Sequence, residues 1–531
     1  MKRVIIFFTV VCGIALASCT EEFLNRNPRS ELNIEGFYQT QTDMNMATLA
    51  IYAKLRDLYN GTYITLGEIR SDNTTYSWLA GNPIDERGID EFKEPLFESN
   101  GNLSSAWNNG YELIMRANTV LQYIGDAKFE QEAYRTQYEA EARFLRALTY
   151  FWLNRVFGGY STDGQLLGVC KVDKLITQAE SYDIGRASLQ EIYDLVVEDL
   201  TFAAANLPKS YASADRGRVI QAGAAAMLAK VYMFMAGYPL NKGNEYYSKA
   251  IQQMEYLFTS FPEVQLAPTY QHLFSSPHNQ TLYTKNSVES LFEVQYKKGA
   301  PSERTSSPWN NNFAPRFDDG SVLPVGDAGG SNAPTMNMSN AYDYGDPRKY
   351  VSMRDSWINK QGTVNNDKYV CKYFDISTSG SNNGNNWIEL RLADIYLLYA
   401  EALLRTGGDK GKALIYLNKI RERARNTAGD PNLDPPAPAS LLKDYVLTDF
   451  ATDEAFLLAI EKERRVELAF ENHRWFDLIR TGRARACMEV QQFDEIGPFT
   501  WDDKELMYPI PETVMRSNPG KIIQNKGYTQ L

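Results

Sequence analysis

The sequence predicts a mainly α protein, built from paired amphipathic helices stacked as degenerate repeats, with one large loop-rich insertion and few short strands. Three observations carry that expectation. Apolar residues recur at helical spacing in pairs of stretches: 43–59 with 103–124, 131–157 with 188–206, 218–236 with 243–260, and 389–405 with 410–426. The stretch from Arg391 to Ala424 has the size of a tetratricopeptide unit, about 34 residues. Between the third and fourth pairs, residues 262–388 turn to Gly, Asn, Ser, Pro and Asp and lose the helical period.

The elements justify themselves in chain order. Lys2 and Arg3 precede a mostly apolar run from Val4 to Leu16, too short for a membrane span of about 20 residues. It ends in Leu16-Ala17-Ser18-Cys19, a lipobox, so residues 1–18 are expected to be cut away and Cys19 lipidated. Acyl chains on Cys19 would hold the chain on a membrane. Residues 19–42 are then the anchor and tether. The helical frame is expected over 43–261, interrupted at 61–102 by a loop rich in Gly, Asn, Asp and aromatics. Gly158 and Gly159 stop the 131–157 helix, and Ser188 with Glu191 forms a capping-box pattern. The 218–236 stretch carries Ala222, Ala224, Ala225, Ala226 and Ala229, small enough for close helix approach. Residues 262–388 form the irregular subdomain, with strand signals at Ser290–Tyr296 and Tyr369–Phe374. The last part, 389–531, holds the fourth pair, a long helix and an aperiodic tail.

That long helix is expected to run unbroken from Thr452 to Gly482. Thr452 caps it, Asp453 and Glu454 suit its N-terminus and Gly482 its stop. Its charges suggest pairing of Glu461 with Arg465, Glu471 with Arg474, Arg474 with Asp477 and Asp477 with Arg480.

Composition narrows the function classes. The chain has 531 residues, 44% of them hydrophobic, which is ample for a large folded core. Its formal charge of −11 argues against nucleic acid, since phosphate binding needs a basic footprint. Cys12, Cys19, Cys170, Cys371 and Cys487 form no CxxC pair, and the His residues at 272, 278 and 473 lack metal-ligand spacing. No cofactor is expected. Asp318 and Asp319 are a lone acidic pair in a loop, more simply read as solvated than as calcium ligands. No Ser is flanked as in a GxSxG nucleophile elbow. GGDKGK at 407–412 reads as a helix–helix turn, because Thr406 stands where a phosphate loop needs Gly.

A set of ordered motifs resembles the SusD/RagB family of outer-membrane nutrient-binding lipoproteins. It comprises the lipobox, RFLRA at 143–147 with Tyr150 and Phe157-Gly158-Gly159, and RLADI at 391–395 with YAEA at 399–402. ERRVEL at 463–468, RWFDL at 474–478, PIP at 509–511, Asn518-Pro519 and Gln524-Asn525 complete it. One departure is Val325-Gly326-Asp327, where relatives often carry a Gly-Trp-Gly-like turn. The resemblance implies a right-handed superhelix of four tetratricopeptide-like pairs. It implies a non-catalytic protein that captures glycans, or peptides in some members, for a TonB-dependent SusC-like β-barrel. It places the chain on the outer membrane, with Thr20-Glu21-Glu22 after the lipidated Cys suggesting the extracellular side. A scaffold that binds no ligand is the other reading.

A glycan binder needs aromatic faces for the C–H sides of sugar rings, with carboxylates, amides and Arg for the hydroxyls. Aromatics on polar loops are therefore the candidates. Tyr76 and Trp78 lie in SDNTTYSWLAGN beside Asp72 and Asn73, Trp309 lies near Asn310 and Arg316, and Trp357 lies in RDSWINK. Trp107, Trp152 and Trp475 sit in helical patterns and are expected in the core, as is Trp387 at a helix start; His473 is expected to be packed rather than to bind a ligand.

Overall fold

A computed structural model describes residues 36–76, 84–92, 96–275, 281–299, 304–323, 329–375, 382–428, 441–497 and 499–531. The eight expected helices are present: α1 Gln41–Asn60, α2 Gly101–Tyr123, α3 Glu132–Phe157, α4 Leu189–Asn206, α5 Gln221–Ala236, α6 Asn244–Ser260, α7 Leu392–Arg405 and α8 Lys410–Arg425. Each packs on the next through the stack, from α1 on α2 to α7 on α8. Local chemistry sets their ends. Thr40 and Asp43 form a capping box on α1, and the expected box of Ser188 with Glu191 opens α4. Nearly all of α5 is buried, as its alanine-rich sequence anticipates.

One boundary moves. Residues 387–391, the start of the fourth pair in sequence, are extended. They pair antiparallel, with register shifts, to a strand at Ser290–Val294. Arg391 thus ends a strand and stands at the N-cap of α7.

The long C-terminal helix is broken. It runs as α9 Asp453–Glu467, turns through 468–473, and resumes as α10 Arg474–Arg480, followed by α11 Ala484–Ile496. Phe470 and Asn472 at the turn take φ values of 64°, a conformation unfavourable for bulky side chains. Long-range bonds stabilise it. The Asn472 N–H donates to Glu68 Oε2 at 2.7 Å and its side-chain amide to the Tyr63 carbonyl at 2.9 Å. Glu471 turns inward to Lys372 at 2.6 Å and Arg391 at 2.7 Å.

The break also changes the ion pairs. Asp477 does meet Arg480, at 2.7 Å, and Arg464 at 2.8 Å. Arg474, however, reaches Asp72 at 2.7 Å and Glu461 at 3.2 Å. Arg465 turns to Asp72 at 3.2 Å instead of Glu461. Arg464, Arg474, Arg480 and Asp72 are buried and Glu461, Arg465 and Asp477 half-buried, so these pairs do not lie on an exposed helix surface, and all but Asp477 with Arg480 join different segments. Glu467 lies among Arg391, Arg348 and Arg423, and Glu463 bonds Arg348 and Arg421. Charges at this depth are tolerated only because each is met by an opposite charge and by hydrogen bonds.

Candidate functional site

The site is assembled from three segments distant in sequence. Thr74–Thr75, β1, pairs antiparallel with Ala333–Pro334, β2. The stretch leading into β2 lies along 311–316: the Gly329, Gly330 and Ser331 N–H groups donate to the carbonyls of Asn311, Ala314 and Asn312 at 2.7, 3.0 and 2.9 Å. A Cβ on Gly330, whose φ is +61°, would stand 3.0 Å from the Arg316 Cβ, so glycine lets the two strands of backbone touch. Tyr76, Arg316 and Phe317 therefore share one region of surface.

The loop carrying Tyr76 is fixed from below. The Thr75 hydroxyl and the Tyr76 N–H both donate to buried Asp90, at 2.7 and 2.8 Å. Asp72 receives two bonds from Arg474, at 2.7 and 2.8 Å, and its carbonyl receives Arg465 and Thr335. Burial alone would raise the Asp72 carboxyl, but Arg465 and Arg474 hold it down to about 2. Asn73 bonds Glu68 and Arg465 at 3.0 and 2.9 Å. Asp72 and Asn73 are 2% and 1% exposed, so the structure gives them a supporting role under the loop rather than contact with a ligand.

The other expected site residues divide in the same way. Tyr76 and Arg316 are half-buried at the surface. Trp78 lies outside the described residues, as do Cys19 and the 325–327 turn. Trp309 is 1% exposed and packs on Phe313 and Trp387, with centroids 6.2 and 5.0 Å away. Asn310 donates inward to the Asp375 carbonyl and Asn383. Both residues sit on the inner face of the short helix Trp309–Phe313, while Asn311 and Asn312 take the outer one. Trp357 is buried with Leu323, Tyr369, Cys371 and Phe374 in a small second core. Neither tryptophan offers a sugar an open ring face. Trp107, Trp152, Trp387, Trp475 and Trp501 are buried as well. His473 is packed: its Nδ1 faces Lys230 at 3.0 Å, and burial followed by that ammonium pushes it down to about 3. Asp318 is occupied by the backbone N–H groups of Gly320, Ser321, Val322 and Leu323, and Asp319 by Ser321 and Lys360.

Phe317 is the residue that sequence reasoning missed. It is 61% exposed, has φ of 63°, and carries the Arg316 guanidinium 5.1 Å from its ring centre. A large side chain in the left-handed region is strained, and here the strain accompanies a ring turned to solvent. Partial burial and then the Glu86 charge raise the Tyr76 phenol above its ordinary value, while the Arg316 charge pulls it back. The surface thus offers the Tyr76 and Phe317 rings, the Arg316 guanidinium and the half-buried Asn311 and Asn312 residues, with the Glu86 charge acting on Tyr76.

Two family models match in succession. One, described as starch-binding and associating with the outer membrane, covers residues 22–233, and the SusD family model covers 276–528. The chain belongs to the SusD family. It is accordingly a binding protein and not an enzyme. This SusD-family chain is 26% identical to SusD-like protein P2 of Formosa agariphila, over 99% of its own length and all of the relative's. Its fold matches a SusD homolog from Bacteroides thetaiotaomicron with a TM-score of 0.76, at 21% identity, over 94% of this chain and 99% of that one. It also matches surface glycan-binding protein A of the same organism, solved with laminarihexaose, with a TM-score of 0.72 at 21% identity, over 92% of this chain and all of that one. No helix among the described residues is long and apolar enough to cross a membrane.

Proposed function

We propose that this SusD-family member is a cell-surface lipoprotein, anchored through Cys19, that captures an oligo- or polysaccharide on the Tyr76–Arg316–Phe317 surface. It then hands the glycan to a TonB-dependent SusC-like β-barrel for import. The observation that carries this reading is the exposed Phe317 ring beside Arg316 and Tyr76, on backbone anchored by buried charges. Sugar rings stack on such faces, while their hydroxyls bond the guanidinium, carboxylate and amides around them. The glycan-bound neighbour of the same fold supports the ligand class.

Titration calorimetry of the purified chain against a panel of oligosaccharides and peptides, with the mixtures assayed for new reducing ends, tests this. Binding without cleavage is expected, and Tyr76→Ala or Phe317→Ala should weaken it at least tenfold with little change in stability. Deleting the partner barrel should abolish uptake and leave binding intact. Release of new reducing ends, or uptake that persists without the barrel, would overturn the corresponding half of the proposal.

A further inference from the structure

Among the described residues many buried cations are met by carboxylates, as Arg348, Arg391, Arg423, Arg464, Arg474 and Arg480 illustrate, while the half-buried Arg186 is met by backbone carbonyls. Arg316 differs. It is half-buried at the candidate surface, and among the described residues no carboxylate pairs with it. Its placement is nonetheless specified. Pro315 before it is buried, Gly330 packs against its Cβ and backbone N, and Phe317 after it holds a strained conformation that leaves its ring beside the guanidinium. A cation that only aided solubility would not need a glycine packed against it and a left-handed phenylalanine after it. In a chain of net charge −11, this is a positioned guanidinium whose donors meet no carboxylate among the described residues.

We infer that Arg316 selects an anionic sugar, so that the glycan captured at this surface carries a uronate carboxylate or a sulfate ester. This rests on the capture reading above and narrows its ligand. The planar guanidinium presents paired N–H donors that match the two oxygens of either group, a bidentate geometry that neutral hydroxyls do not use fully. The aromatic groups supply the rest: the Phe317 and Tyr76 rings take the C–H face of the sugar while its charge sits on Arg316. Glu86, whose charge also acts on the Tyr76 phenol, accepts a bond from Asn102 at 3.2 Å. It repels an anion from that side and accepts sugar hydroxyls, so the ligand's charge has one favoured direction across the site.

The test titrates the purified chain with trigalacturonate, with a sulfated galactan oligosaccharide and with uncharged laminarihexaose, at low and high salt. It then repeats the titrations with Arg316→Gln and Arg316→Lys. At least one charged sugar should bind more tightly than laminarihexaose, and which one binds names the source of the anion. Arg316→Gln should weaken that binding on the order of tenfold to a hundredfold, the range for a charge-assisted bond, and flatten its salt dependence. Arg316→Lys should recover part of it. The thermal midpoint of Arg316→Gln should match the parent, since no carboxylate loses a partner. Charged sugars bound equally by Arg316→Gln and the parent would overturn the inference. Laminarihexaose binding as tightly as the charged sugars, in a manner abolished by Tyr76→Ala, would overturn it while leaving the capture reading standing. Failure of every sugar to bind would overturn both.

Discussion

Replacing Asp72 by Asn removes the charge shared by two guanidinium groups and leaves the shape of the side chain almost unchanged. Asp72 is 2% exposed and lies 2.7 Å from Arg474 and 3.2 Å from Arg465. Burial would raise its carboxyl, yet the two Arg residues lower it from 3.8 to about 2. At roughly 1.4 kcal/mol for each pH unit, that displacement corresponds to stability on the order of 2 kcal/mol at neutral pH. Because the folded-state value is the lower one, the contribution is complete above about pH 4 and is lost as pH falls toward 2. By pH 3 about half remains. Asp72→Asn should therefore be about 2 kcal/mol less stable than the parent at pH 7, with the gap narrowing to about 1 kcal/mol at pH 3. Urea denaturation followed by tryptophan fluorescence at both pH values measures this. A gap that is absent at pH 7, or unchanged at pH 3, would refute the argument that these charges anchor the Tyr76 loop.

Other outcomes follow from the same structure. Trp309→Ala should cost about 3–5 kcal/mol in the same denaturation assay, as loss of a buried indole does, while the folded fraction keeps its glycan affinity. Gly67→Ala should destabilise by about 1–3 kcal/mol, because a Cβ there would stand 2.0 Å from the Asn472 side chain that bonds the Tyr63 carbonyl. Glu68 is raised from 4.5 to about 7 by burial, which the bonds from Asn73 and Asn472 only partly oppose. A raised carboxyl penalises folding as pH climbs, so the parent should lose about 3 kcal/mol between pH 4.5 and 7 relative to Glu68→Gln. Parallel pH profiles for the two proteins would count against this assignment.

Much of the frame was legible because its information is local. Helical period, the Ser188–Glu191 box and the alanine run in α5 are each contained within a few turns of chain. The break at 468–473 was not, because its cause lies at Tyr63, Glu68, Lys372 and Arg391, far away in sequence. The candidate site was half legible for a related reason. Loop composition drew attention to Tyr76 and Arg316, and both lie half-buried at the surface. The same composition made Trp309 look solvent-facing, although it lies on the inner face of a single helical turn against Trp387. Phe317 carried only a weak signal, a phenylalanine between Arg316 and two aspartates. Its exposure depends on a backbone conformation that no residue type announces.

The break between α9 and α10 also has a temporal consequence. Glu463, Glu467 and Glu471 are synthesised after Arg348, Lys372, Arg391, Arg421 and Arg423, the cations they neutralise. Among the described residues, a chain ending before Thr452 leaves Lys372 with no carboxylate, and Arg348, Arg391 and Arg423 with one each. Those cations then remain cheaper to hydrate than to bury. This charged core is completed by the 463–471 segment, as an arch is by its keystone.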